Sequence, residues 1–235
     1  MATFCLIHGN WHDGSCWSPV VEGLRARGHD AVTPDLPFDD PAATGADRAR
    51  PAIAAIANVE GPVVVVAHSV GSAEGALVAA ECDPLLLVYL CPRFGSFAAP
   101  DDAPPVFREG FPFPPRDAQG RIVWDPDAAI AAMYPRLPEE TARRLAQRLR
   151  PGAVAAGEYP LAEHPDVPTA LILASYDEFF TPEWERFVAR ELLGIEPIEI
   201  PTGHFPMVED PALLTDLLDR LALEASKGGE ELPSG

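Results

Sequence analysis

Lysine is almost absent from this sequence: of 17 basic residues in 235, all are arginine except Lys227, which sits in a Gly/Glu/Ser-rich stretch near the end. Without a lysine in the body of the chain, Schiff-base and amine-base chemistry are excluded. Basic charge as a whole is scarce, 17 residues against 36 acidic ones, for a net charge of −19. So acidic a protein repels phosphate backbones and anionic lipid at long range, and neither nucleic acid nor a membrane is an expected partner. No apolar run approaches the roughly 20 residues that cross a bilayer. The four cysteines, Cys5, Cys16, Cys82 and Cys91, have no short paired spacing of the C-x-x-C kind and read as packed free thiols. Apolar sequence begins at the third residue, which leaves no room for a charged leader and cleavage site. A soluble protein of the reducing cytoplasm is the expectation.

What is present is an alternation. Short runs rich in Val, Ile and Leu predict strands at Thr3–Ile7, Ala31–Thr33, Val63–Ala67, Leu85–Leu90, Thr169–Ala174 and Ile195–Ile200. Amphipathic stretches between them predict helices at Trp17–Arg27, Ala46–Asn58, Ser72–Glu81, Pro182–Leu192 and Pro211–Glu224. The pattern is that of an α/β fold, a mostly parallel central sheet of about six strands flanked by helices. From Pro92 to about Pro168 the text changes, with many prolines set among aromatics. Proline forbids a central strand and aromatics resist disorder, so this segment predicts an ordered helical lid with helices at Asp127–Tyr134 and Pro138–Arg150. The expected organisation is a core of residues 1–92 and 166–225, a lid insertion at 93–165 and a flexible tail at 226–235.

Strand Val63–Ala67 runs into His68-Ser69-Val70-Gly71 and then a helix of small residues. This is a G-x-S-x-G turn with Ala67 in place of the first glycine, and a sharp strand-to-helix turn of that kind lifts a serine hydroxyl clear of the sheet. The alternative is a serine that only caps a helix. Its position after a central strand, at the carboxyl edge where open α/β sheets bind ligands, favours a nucleophile. The Val70 N–H at the helix start and the Asn10 N–H in the His8-Gly9-Asn10-Trp11 loop after the first strand are the expected oxyanion donors. His8 and His12 have four-residue spacing, but they lie on a glycine-broken loop without a third ligand, so no metal is expected. His8 reads as a brace, Trp11 as a pocket wall and Trp17 as core. Asp177 and His204 each follow the carboxyl end of a later strand, in the order that completes a Ser-acid-His set. Glu178 is the competing acid, set aside as a solvated neighbour or a cap for the helix at Pro182. His29 reads as a helix-to-strand turn, His68 as packing beside Ser69, and His164 as surface.

The combination His8-Gly9 to Trp17, Ala67-His68-Ser69-Val70-Gly71, Asp177 and Gly203-His204-Phe205-Pro206-Met207 resembles the compact α/β hydrolases related to plant methylesterases and hydroxynitrile lyases. That resemblance implies the α/β-hydrolase fold and hydrolysis of a small, partly apolar ester or lactone without a cofactor, by Ser69, His204 and Asp177. Hydroxynitrile lyases of this group carry a lysine after the acid; here Glu178 stands there, which speaks against cyanohydrin cleavage. Phe94, Phe97, Phe107, Phe111, Phe113 and Trp124 are candidate lid walls facing an apolar substrate part, with fewer than half of them expected to touch it. A small molecule is the expected partner, and a homodimer stays open. The rival readings are a lyase, cyclase or acyltransferase on the same three residues, or a ligand-binding protein on the same scaffold.

Overall fold

The structure, a computed structural model, describes residues 1–94 and 103–228. Its centre is one sheet of six strands: β1 (Thr3–Ile7), β2 (Asp30–Val32), β3 (Val63–His68), β4 (Leu86–Leu90), β5 (Thr169–Ala174) and β6 (Ile198–Ile200). They lie in the order β2-β1-β3-β4-β5-β6, and every neighbouring pair is parallel. Parallel strands need crossover helices, and these cover both faces, so the strands can be apolar on both sides. Alternate residues feed two separate cores. Phe4, Leu6, Val64, Val66 and Val88 pack with α1 (Ser18–Ala26) and α8 (Pro211–Ser226), while Cys5, Ile7, Val65, Ala67, Leu87 and Tyr89 pack with α2 (Gly45–Ile56) and α3 (Gly71–Cys82). Among the described residues no helix is long and apolar enough to cross a membrane.

Several boundaries differ from the sequence expectation for local reasons. The last strand begins at Ile198 rather than Ile195, because Pro197 has no N–H to give a ladder. The expected helix at Pro182–Leu192 divides into α6 (Pro182–Phe187) and a π-turn at Val188–Leu192. One short helix, α7 (Pro206–Glu209), was not anticipated; Pro206 at its first turn fixes its start. Helix α8 continues to Ser226, into the segment expected as tail, and residues 229–235 of that tail lie outside the described residues.

Between β4 and β5 the chain makes the expected non-sheet insertion, which holds α4 (Pro126–Met133) and α5 (Glu139–Ala146). Backbone bonds staple it over the carboxyl edge: Arg150 N–H to the Trp11 carbonyl at 2.8 Å, Ala153 N–H to Phe38 at 2.7 Å, and Ala156 N–H to Ala43 at 2.9 Å. The strand order reverses direction between β1 and β3, so the loops after these strands flank the crevice where such sheets place ligands.

Ala67 is accommodated by its neighbour across the interface. A Cβ added to Gly75, on α3, would sit 2.3 Å from the Ala67 Cβ. Two backbone-anchored carbons cannot approach so closely, so α3 lies against β3 only because residue 75 has no side chain. Gly75→Ala is expected to cost about 1–3 kcal/mol of stability by overpacking, read as a lower urea midpoint. Ala67→Gly in the same chain should restore most of that loss; no restoration would mean the pair is not the cause.

Candidate active site

The turn after β3 puts Ser69 at φ 55, a left-handed conformation that costs an L-residue about 1–2 kcal/mol. Backbone bonds enforce it. Ser69 N–H donates to the Leu90 carbonyl at 3.0 Å, and the Ser69 carbonyl accepts from Ser72 N–H at 3.0 Å and Arg93 N–H at 3.1 Å. A Cβ on Gly71 would fall 2.4 Å from the His8 carbonyl, so the turn brings α3 onto the loop after β1 as closely as a backbone allows. The serine hydroxyl is thereby raised at the mouth of the crevice.

His204, on the loop after β6, lies with Nε2 3.0 Å from Ser69 Oγ and Nδ1 2.5 Å from Asp177 Oδ2. The second Asp177 oxygen, Oδ1, accepts the N–H groups of Phe179 and Phe180, each at 2.7 Å. All three side chains are buried. Asp177 rather than Glu178 therefore supplies the carboxylate bonded to the imidazole. Glu178 was not the solvated or helix-capping residue expected: it accepts His204 N–H at 3.1 Å, and Thr181 caps α6 instead. Glu209 accepts the neighbouring Gly203 N–H at 2.8 Å and is itself held by Arg136 at 2.6 Å. Two carboxylates thus pin the backbone that carries the imidazole.

The other histidines near the site are neutral struts. His68 Nε2 donates to the His204 carbonyl at 2.8 Å, a more specific role than packing. His8 Nδ1 donates to the Gly9 carbonyl and Nε2 accepts Leu36 N–H, at 2.8 and 3.0 Å. His12 Nδ1 donates to the Asn10 carbonyl, and Tyr134, at the end of α4, donates to Nε2 at 2.6 Å. Each ring nitrogen of His8 and His12 is therefore already engaged by the protein. Burial lowers the pKa of all three imidazoles, His12 to about 4. Sulfur and ligand atoms of Cys91, Asp177 and His204 also come within 4.8 Å of one another. A metal there would have to displace the Asp177–His204 bond and a proton from the Cys91 thiol, whose pKa burial pushes well up. Behind Asp177, Glu185 is fully buried, and desolvation together with the Asp177 charge raises its carboxyl well above the usual range. Burial beside Asp177 therefore biases it toward its protonated form. His164 is not a surface residue; it is partly buried, with Nε2 3.0 Å from the Tyr89 hydroxyl.

Ser69 opens into a cavity of about 560 Å³ between the sheet edge and the insertion. Asn10 and Val70 line it, and among the described residues neither backbone N–H has an acceptor. The Asn10 side-chain Oδ1 accepts Trp11 N–H at 3.1 Å. Trp11, Phe107 and Phe113 line the cavity as expected. Phe94, Phe111 and Trp124 do not: Phe94 turns into the core against Tyr89, while Phe111 and Trp124 form a layer behind Phe179 and Trp11. Phe97 lies outside the described residues. Sequence reading missed Phe179 and Phe180, although their place directly after Asp177 signalled them, and it missed Arg48, Glu74 and Arg93 in the wall.

His12 offers a test of the neutral struts. In the unfolded chain its imidazole titrates near 6.5, in the folded protein near 4, so the unfolded state takes up the proton first as pH falls. The stability that a neutral His12 contributes is complete above pH 6.5 and drains away toward pH 4. Raised carboxyls such as Glu185 act in the opposite sense, so the variant must be compared with the parent. His12→Gln should lower the urea midpoint at pH 7.5 and lower it less at pH 5; an equal loss at both would mean that His12 is not held neutral.

The sequence profile of the alpha/beta hydrolase family matches residues 6–217. Among curated proteins none matches the chain by sequence. Solved structures of similar shape include a pyrethroid hydrolase from Sphingobium faniae JZ-2, 21% identical, with a TM-score of 0.79 over 97% of this chain and 100% of that one. The methylesterase MES16 from Arabidopsis is 17% identical, with a TM-score of 0.77 over 95% of this chain and 100% of that one. Polyneuridine aldehyde esterase is 17% identical, at 0.75 over 94% and 99%. With that profile spanning all six strands but the first residues of β1, and a serine elbow, acid loop and histidine loop meeting at one sheet edge, the chain belongs to the alpha/beta hydrolase family.

Proposed function

We propose that the protein is a serine esterase that opens a small, partly apolar carboxylic ester or lactone through an acyl-enzyme. The observation that carries this reading is the continuous relay Ser69–His204–Asp177, at 3.0 and 2.5 Å, opening onto an aromatic cavity. Ser69 Oγ attacks the ester carbonyl as His204 Nε2 takes its proton, and Asp177 holds the resulting imidazolium in place. Charge developing on the carbonyl oxygen meets the N–H groups of Asn10 and Val70, which line the cavity and have no acceptor among the described residues. His204 then returns the proton to the departing alcohol, and water repeats the sequence on the acyl-enzyme.

The arrangement uses groups of this chain throughout. Trp11, Phe107, Phe113, Phe179 and Phe180 suit the apolar part of a substrate. Similar structures described as a methylesterase, a pyrethroid hydrolase and polyneuridine aldehyde esterase favour an ester over other acyl compounds. In this reading the insertion between β4 and β5 is the lid, and the four free cysteines fit a reducing cytoplasm.

Ser69→Ala is expected to lower turnover of short p-nitrophenyl esters by on the order of 10⁴-fold or more, with an unchanged circular dichroism spectrum and melting temperature. A fluorophosphonate should label the parent protein and not the variant. Labelling at Ser69 with no turnover of any ester or lactone would favour a lyase, cyclase or acyltransferase; no labelling at all would favour a ligand-binding protein.

A further inference from the structure

In a chain with twice as many acidic as basic residues, the active-site cavity contains a cation, Arg93, that no acid among the described residues pairs with. Arg93 follows β4 and is tied by its own N–H to the carbonyl of Ser69, 3.1 Å away. Its side chain enters the cavity wall, where the Nε is buried without an acceptor and, among the described residues, the guanidinium makes neither an ion pair nor a hydrogen bond. The ring of Phe107 lies under it, 5.5 Å from centroid to Cζ, which supports one face and leaves the N–H edge unpaired.

The remaining charges of the cavity do not change this. Glu158 is exposed at the rim, Arg116 is exposed with its guanidinium on the Gly120 carbonyl at 2.6 Å, and Glu74 is buried beside Arg48, whose charge acts on it. Burial lowers the Arg93 pKa, and among the described residues no carboxylate compensates. Many arginines of this protein meet acids, Arg27, Arg50, Arg121, Arg136, Arg150 and Arg186 among them. A partly buried charge with an unpartnered buried Nε is costly, and at a cleft it points to a partner that arrives from outside.

We propose that Arg93 recognises a carboxylate carried by the substrate, so that the esters opened at Ser69 are small monoanions such as monoesters of dicarboxylic acids. This rests on the esterase reading for the reaction but not for the binding. Guanidinium forks match a carboxylate with two parallel hydrogen bonds, and the aromatic walls leave room for the chain between carboxylate and ester. A singly charged ligand is favoured over a phosphate dianion because the whole protein, at −19, repels anions in proportion to their charge.

The test separates binding from turnover. Calorimetric titration of the full-length Ser69→Ala protein with monomethyl esters of succinate through suberate, each against its dimethyl ester, should give tighter binding of the monoanion at one or more chain lengths. Adding Arg93→Gln should weaken that monoanion about ten-fold or more and leave the diester within about two-fold. Arg93→Lys, which keeps the charge, should retain part of the preference and guards against a folding artefact. Equal binding of both esters at every length, or an Arg93→Gln loss shared equally by the two, would overturn the proposal. Methanol release by the protein with Ser69 intact reads the reaction itself: preferential binding abolished by Arg93→Gln, without methanol release from any ester, would sustain the anion site and sink the esterase.

Discussion

The constraint on which the rest depends is a single turn in the wrong half of conformational space. Ser69 sits at φ 55, where an L-residue is destabilised, and the fold holds it there with three backbone bonds and a helix laid directly on the loop after β1. That turn does three things at once. It lifts the hydroxyl off the sheet, starts α3 with its positive end toward the crevice, and frees the Val70 N–H. Local strain is tolerable because the two apolar cores on either side of the sheet fix β3 and α3 independently of it.

Around this turn the protein keeps its charges few and assigned. Histidines 8, 12 and 68 are buried, neutral and used as hydrogen-bonding struts, so that the imidazole of His204 is not surrounded by competing cations. Glu185, behind the acid, is pushed toward its protonated form by burial and by the Asp177 charge. Glu178 and Glu209 take the backbone N–H groups of the histidine loop. Position, hydrogen bonding and protonation state are therefore specified together, which is what a preorganised polar site in a low-dielectric setting requires.

The insertion contributes shape. Its backbone is bonded to the loop after β1 and to the segment around Phe38 and Ala43, so it closes a cavity against the sheet edge. Aromatic rings stack in two layers, with Phe111 and Trp124 supporting the inner rings rather than meeting the cavity. One layer could be read as wall from composition alone; the other could not be told from it.

The sequence by itself determined the class of fold and the serine, the histidine and the adjacent pair of acids, Asp177 and Glu178, that its edge brings together. Apolar strand runs, the small residues around Ser69 and the order serine, aspartate, histidine are local or ordinal signals, and they survive in text because backbone sterics and chain order are properties of the chain. Element ends shifted where a single residue intervened, as Pro197 shortened β6. Tertiary structure alone decided which acid faces the imidazole, since Asp177 and Glu178 are adjacent and only the turn between them chooses. It decided that His68, Glu178 and Glu209 hold the histidine loop, and that Arg93 stands in the cavity wall with no acid partner among the described residues. Those relations join residues far apart in the chain, through side-chain directions that no periodicity encodes, and the packing of distant elements is what brings them into contact.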